Sequence, residues 1–179
     1  MDLFSHQYDL PAGLDDRLEL VTRRILFTRK YMLRLLDGLS DDDWFWMPEN
    51  YPTHIAWQVG HIAMSQYGLT LFRIRGRTTE DRTLLTGKYR KLFLKGTEPS
   101  ADRESHPQPA EILETLDQIL QQTLKELPSY AGLLDEPTEA PHSSFATKFG
   151  SLIFAADHEM LHSGQIGMLR RLMGKPPVG

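Results

Sequence analysis

The chain of 179 residues, 40% of them hydrophobic, is long enough to bury one continuous core and short enough to form one domain, residues 1–179. A net charge of −4 with both signs interleaved offers no positive block to follow a phosphate backbone, which argues against nucleic acid as a partner. With no cysteine there is no disulfide, thiolate ligand or cysteine nucleophile, so any metal rests on His, Asp or Glu, and a reducing cytoplasm fits.

The start, Met1 to His6, lacks a basic region followed by an apolar run, and no secretory signal is expected there. Apolar residues at helical spacing (Leu18, Val21, Ile25, Leu33, Leu36) predict a first helix over Leu14–Gly38. Ser40-Asp41-Asp42-Asp43 then reads as an N-cap with an acidic first turn, limited by Pro48, with Trp44 and Trp46 covering the end of the fold. A second long helix is predicted over Thr53–Arg75, capped by Thr53 and closed by Gly76. The stretch Asn50–Phe72 carries no charged residue, yet Pro52, His54, Gln58, His61, Ser65 and Gln66 make it a poor membrane span. A helix enclosed by other helices accounts for it better.

Gly87, Gly96, Pro99 and Pro107 make Gly76–Pro109 a long crossover with little regular structure, placed to control access to a site. Pro109 opens a third helix that Ile112, Leu116, Ile119, Leu120 and Leu124 carry to Pro128. Ser129–Ala146, with Pro137 and Pro141, reads as a second irregular connection, and a fourth helix runs from Thr147 to Met173. The fold class is therefore all-α, a four-helix bundle with a long crossover between its second and third helices.

His158 and His162 lie four residues apart on the fourth helix, stacked on one face where they can chelate one ion. With Glu159 they spell His158-Glu159-Met160-Leu161-His162, the His-Glu-x-x-His pattern of zinc proteases, in which the glutamate is the general base. That pattern needs a further ligand downstream, and no His, Asp or Glu follows His162. The third ligand must come from upstream, and His61, in the middle of the uncharged helix, is the strongest candidate. A single histidine on an apolar face is most simply a neutral, hydrogen-bonded core residue. Three on facing helices point to a metal site. His54, two turns from His61, is too far to share the ion, and His6, His106 and His142 read as surface or loop residues.

Three segments carry a family resemblance: Trp57-Gln58-Val59-Gly60-His61-Ile62-Ala63, His158 through Ile166, and Arg170-Arg171-Leu172-Met173-Gly174-Lys175-Pro176-Pro177. Together they resemble the DinB-like (DinB/YfiT-like) superfamily of metalloenzymes over nearly the whole chain. The resemblance implies an up-down-down-up bundle, a homodimer, and Zn²⁺ or Ni²⁺ on His61, His158 and His162. It does not select an activity, since the superfamily includes bacillithiol S-transferases, a mycothiol-dependent isomerase and domains linked to ergothioneine synthesis.

Three histidines leave a fourth position of a tetrahedral ion open. The leading expectation is an enzyme that transfers a small thiol cosubstrate to an electrophile, the metal favouring the thiolate. Metal-dependent hydrolysis, with Glu159 as base, is the alternative reaction, and a non-catalytic metal-binding or interaction protein the alternative class. Trp57, one turn before His61, and Gln165, three residues after His162, are candidates to wall a pocket or to orient the ligands. The expected substrate is a small molecule, with neither nucleic acid nor membrane as partner.

Overall fold

The computed structural model describes residues 8–178, so Met1 to His6 lie outside the described residues. Asp15 caps the first helix, α1 (Asp16–Leu36), by accepting the Leu18 N–H at 2.8 Å, and the acidic Asp16 and Glu19 occupy the first turn, where the helix dipole favours them. Leu18, Val21, Ile25, Met32 and Leu36 form its buried stripe. Ser40 and Asp43 make a reciprocal capping box for the short α2 (Asp41–Phe45). Trp44 enters the core, but Trp46 remains 38% exposed and does not cover the end as expected.

The next helix, α3 (Ile55–Gln66), is capped by His54 and not by Thr53. His54 Nδ1 accepts the Trp57 N–H at 3.0 Å, while its Nε2–H donates to the Ser100 carbonyl at 3.1 Å. Thr53 is engaged otherwise, its hydroxyl accepting from Gln58 Nε2 at 2.9 Å. The cap works only while Nδ1 is unprotonated. Burial, and then the neighbouring His106, hold the His54 pKa down to about 4, and the rings of the two meet edge to face at 4.9 Å. From the ordinary value of about 6.5 down to 4, the unfolded chain takes a proton that folded His54 refuses, so stability falls as pH falls through this window. Between pH 7 and pH 5 we expect wild-type protein to lose about 1–2 kcal/mol more than His54→Asn, whose amide caps without titrating, as read by urea denaturation.

The same helical run continues as a π-helical segment, Tyr67–Phe72, and a last α-turn, α4 (Arg73–Arg75), before Gly76 at φ +78° ends it. The crossover holds more structure than its turn formers suggest: α5 (Asp81–Leu84), α6 (Gly87–Phe93) and a 3₁₀ turn, Arg103–Ser105. Asp81 anchors its beginning, accepting from both terminal nitrogens of Arg75 at 2.8 and 2.9 Å and from the Tyr67 hydroxyl at 2.8 Å. Thr86 caps α6, whose Tyr89 and Phe93 lie one turn apart and are buried against the core.

Pro109 is the first residue of α7 (Pro109–Glu126), and Gln108 and Glu111 close its capping box. The following segment is not irregular throughout: β1 (Pro137–His142) and β2 (Phe145–Thr147) form an antiparallel hairpin. Pro137 and Pro141 are tolerated because both strands of a two-stranded ribbon are edges. Thr147 then caps α8 (Lys148–Leu172) through the Gly150 N–H at 3.2 Å.

The described chain is thus mostly helical, with one small sheet, and its long helices pack α1 on α8 and α3 on both α7 and α8. No helix among the described residues is long and apolar enough to cross a membrane. Gly60 lets α6 approach α3: a Cβ there would lie 2.5 Å from two ring carbons of the fully buried Phe93. Gly60→Ala should therefore destabilise the fold by about 1–3 kcal/mol in chemical denaturation, because the ring has no room to move away.

Candidate metal centre

His61 on α3 and the pair His158 and His162 on α8 converge, with one ring nitrogen of each lying within 4.8 Å of the others. Their ring centroids are 4.5–5.2 Å apart. Two of the rings are fixed from behind. His61 Nδ1–H donates to the Phe93 carbonyl at 2.7 Å, and His162 Nδ1–H donates to Gln58 Oε1 at 2.5 Å, so each ring carries its lone pair on Nε2, which in His61 accepts from the Ser65 hydroxyl at 3.3 Å. Gln58 is itself held through its Nε2 on Thr53. Trp57 stacks flat on His61, 4.8 Å between centroids and 5° between planes, and its indole N–H donates to Thr97 Oγ1 at 3.0 Å.

Burial lowers the pKa of all three imidazoles, and mutual repulsion adds to it at His158, held at about 4, and at His162, at about 3. Neutral rings are the form that ligates a metal. Three neutral nitrogen donors with no thiolate make a set that fits a divalent metal ion.

A cleft of about 320 Å³ runs from the exposed Arg77 and Lys95 inward to His61 and His158. Met64, Phe72, Leu94 and Phe154 give it apolar walls, and His142 on β1 also faces it. Trp57 contacts His61, but neither it nor Gln165 lines this cleft.

Glu159 lies elsewhere. One residue after His158 it is turned about 100° around the helix, and it is only 3% exposed. Its Oε1 accepts from Arg29 Nε at 2.8 Å and its Oε2 from Arg29 Nη2 at 3.2 Å. Arg29, fully buried, also reaches Gln66 Oε1 at 2.6 Å. Both of its oxygens are thus held by a guanidinium in the core, and Glu159 is not among the residues that line the cleft.

Two other histidines, read as surface or loop residues, are engaged with neighbours, His106 from a loop and His142 from the end of β1. His106 is 7% exposed and packs against His54 and Phe93, while His142 stacks on Phe145 at 4.3 Å in the cleft wall. Gln58 was legible in principle, since it lies three residues before His61 on the same helix; the Phe93 carbonyl was not, because any residue type supplies one.

The family model of the DinB superfamily matches residues 24–166, which span His61, His158 and His162. The chain belongs to the DinB superfamily. A search of curated proteins finds no match that would lend this DinB-superfamily chain an activity. Its three histidines form a cluster that can hold a metal ion.

Proposed function

We propose that this protein is a metal-dependent enzyme that joins a small thiol to an electrophile. The observation that carries the reading is a trio of neutral histidines, two of which, His61 and His158, line the inner end of an open cleft in which no carboxylate is found among the lining residues. Held by His61, His158 and His162, a divalent ion, Zn²⁺ or Ni²⁺, would supply Lewis acidity at a position open to the cleft and favour a thiolate without a separate base. Hydrolysis by water is the poorer fit, since the glutamate it would use is bound to Arg29.

The chain's own residues do the positioning. The Phe93 carbonyl and Gln58 hold two rings in one tautomer, Trp57 blocks rotation of His61, and Met64, Phe72, Leu94 and Phe154 exclude water from the thiol and its partner. The sulfur forms a bond to the electrophilic carbon as the leaving group departs with the bonding pair; the thiol proton passes to solvent. His142 Nδ1 accepts the Ser144 N–H at 3.1 Å, so the neutral ring carries its proton on Nε2, in the cleft wall and able to donate to the leaving group. Burial and the charges of Arg73 and Lys95 lower its pKa and favour that neutral ring. An up-down-down-up order of the helices, a homodimer and a cytoplasmic location, all suggested by the family likeness or the composition, belong to the same proposal.

The test is direct. Metal-loaded protein is mixed with 1-chloro-2,4-dinitrobenzene and, in turn, bacillithiol, mycothiol, glutathione and coenzyme A. One thiol should be consumed at least tenfold faster than with chelator-treated protein or His162→Ala. Equal rates for all four would end the reading.

A further inference from the structure

The cleft that reaches His61 and His158 is lined by four cations, Arg73, Arg77, Arg90 and Lys95, and by no carboxylate. None of the four takes part in the ion pairs formed among the described residues. The contrast with their neighbour is sharp: Arg75, between two of them in sequence, is neutralised by Asp81 and Glu126 at 2.8 Å each. Arg73 is half-buried, its Nε is shut off from solvent with no partner among the described residues, and its one hydrogen bond runs from Nη1 to the Gly68 carbonyl at 3.3 Å. An adjoining hollow of about 350 Å³ shares Arg77 and Arg90, and its carboxylate, Asp81, is the one already taken by Arg75.

This local excess runs against the charge of the whole chain, −4. It also reaches the metal centre, since His61 and His158 line the same cleft as these cations. A divalent ion on the histidines would add to it. Like charges gathered around a partly desolvated cleft repel one another, and a guanidinium nitrogen removed from water without an acceptor is costly; an anion in the cleft relieves both.

We infer that the cleft takes a small molecule bearing carboxylate or phosphate groups, its anionic end held by Arg73, Arg90 and Lys95 and its other end directed at the three histidines. Guanidinium groups suit such oxyanions because they donate in pairs, and the apolar walls of Met64, Phe72, Leu94 and Phe154 then accommodate an uncharged middle. This rests on the reading of the histidines as a reaction site and narrows it: either the thiol or its electrophile is an anion.

Binding, read without any reaction, tests the inference separately from the transfer activity. Metal-loaded and chelator-treated protein are titrated calorimetrically with inorganic phosphate, with succinate and with the neutral succinamide. Phosphate or succinate should bind at least tenfold more tightly than succinamide, the tighter of the two telling phosphate from carboxylate as the natural group. Arg90→Gln should weaken that binding at least tenfold, and so should Lys95→Gln, whose exposed position leaves folding intact. Succinamide binding as well as the anions, no binding of either anion, or undiminished binding by both variants would overturn the inference. If the anions bind as expected while no thiol is consumed, the cleft assignment stands and the transfer reading falls; transfer confined to uncharged substrates gives the reverse.

Discussion

With alanine in place of His162, the purified protein is expected to lose its divalent metal, its affinity falling more than a hundredfold while far-ultraviolet circular dichroism stays helical. The reason is the donor count: two imidazoles remain of the three whose nitrogens lie within 4.8 Å of one another. His162 is only partly buried, so its removal opens little of the core. Gln58→Leu should act in the same direction through the ligand's orientation. It removes the acceptor of His162 Nδ1–H, frees the ring to turn and to change tautomer, and should weaken binding about 10–100-fold. Elemental analysis and chelator competition measure both. His162→Ala protein that holds metal as wild type does would show that the ion sits elsewhere. Because an ion that binds only the folded chain stabilises it, chelation of wild-type protein should also lower its melting temperature, and chelation of His162→Ala should not.

The second large effect belongs to Glu159→Gln, and it is one of stability. The change leaves the Arg29 guanidinium, 0% exposed, without its counter-charge in the core, and breaking a buried pair in this way costs about 3–5 kcal/mol. Urea denaturation should show that loss. Metal content and any thiol-transfer rate, counted per folded molecule, should be unchanged, which separates a structural anion from a catalytic base. Replacing both partners, Arg29→Met with Glu159→Leu, should recover much of the stability, since neither charge is then stranded. A rate that fell with Glu159→Gln at full folding would restore the carboxylate to the chemistry.

Much of this was legible from residue spacing. The long helices follow from apolar repeats such as Leu18, Val21 and Ile25, and the pairing of His158 with His162 follows from four-residue spacing on one of them. What escaped depends on contacts between distant segments. Thr53 is the stronger cap by residue type, yet His54 caps α3 because Ser100, in the crossover, fixes its tautomer. Prolines hid the hairpin, and glycines hid α6, whose helix is only seven residues long and is held by burial of Tyr89 and Phe93. The cations of the cleft come from the turn after the π-helical segment, from α6 and from the residues beyond it, and nothing in their separate neighbourhoods announces that they meet. Glu159 shows the converse: a five-residue pattern suggested a catalytic base, while its carboxylate faces a partner 130 positions away.

The hydrogen bond from His61 to the Phe93 carbonyl ties one metal ligand to the backbone of the crossover, which makes the ion and that segment thermodynamic partners. Whatever loosens α6 from α3 withdraws the acceptor that orients His61, and by reciprocity whatever seats the ion holds α6 down. Limited proteolysis within Gly87–Phe93 should therefore slow as the histidines are filled with metal, so that cleavage of the crossover gauges occupancy of a site it does not itself ligate.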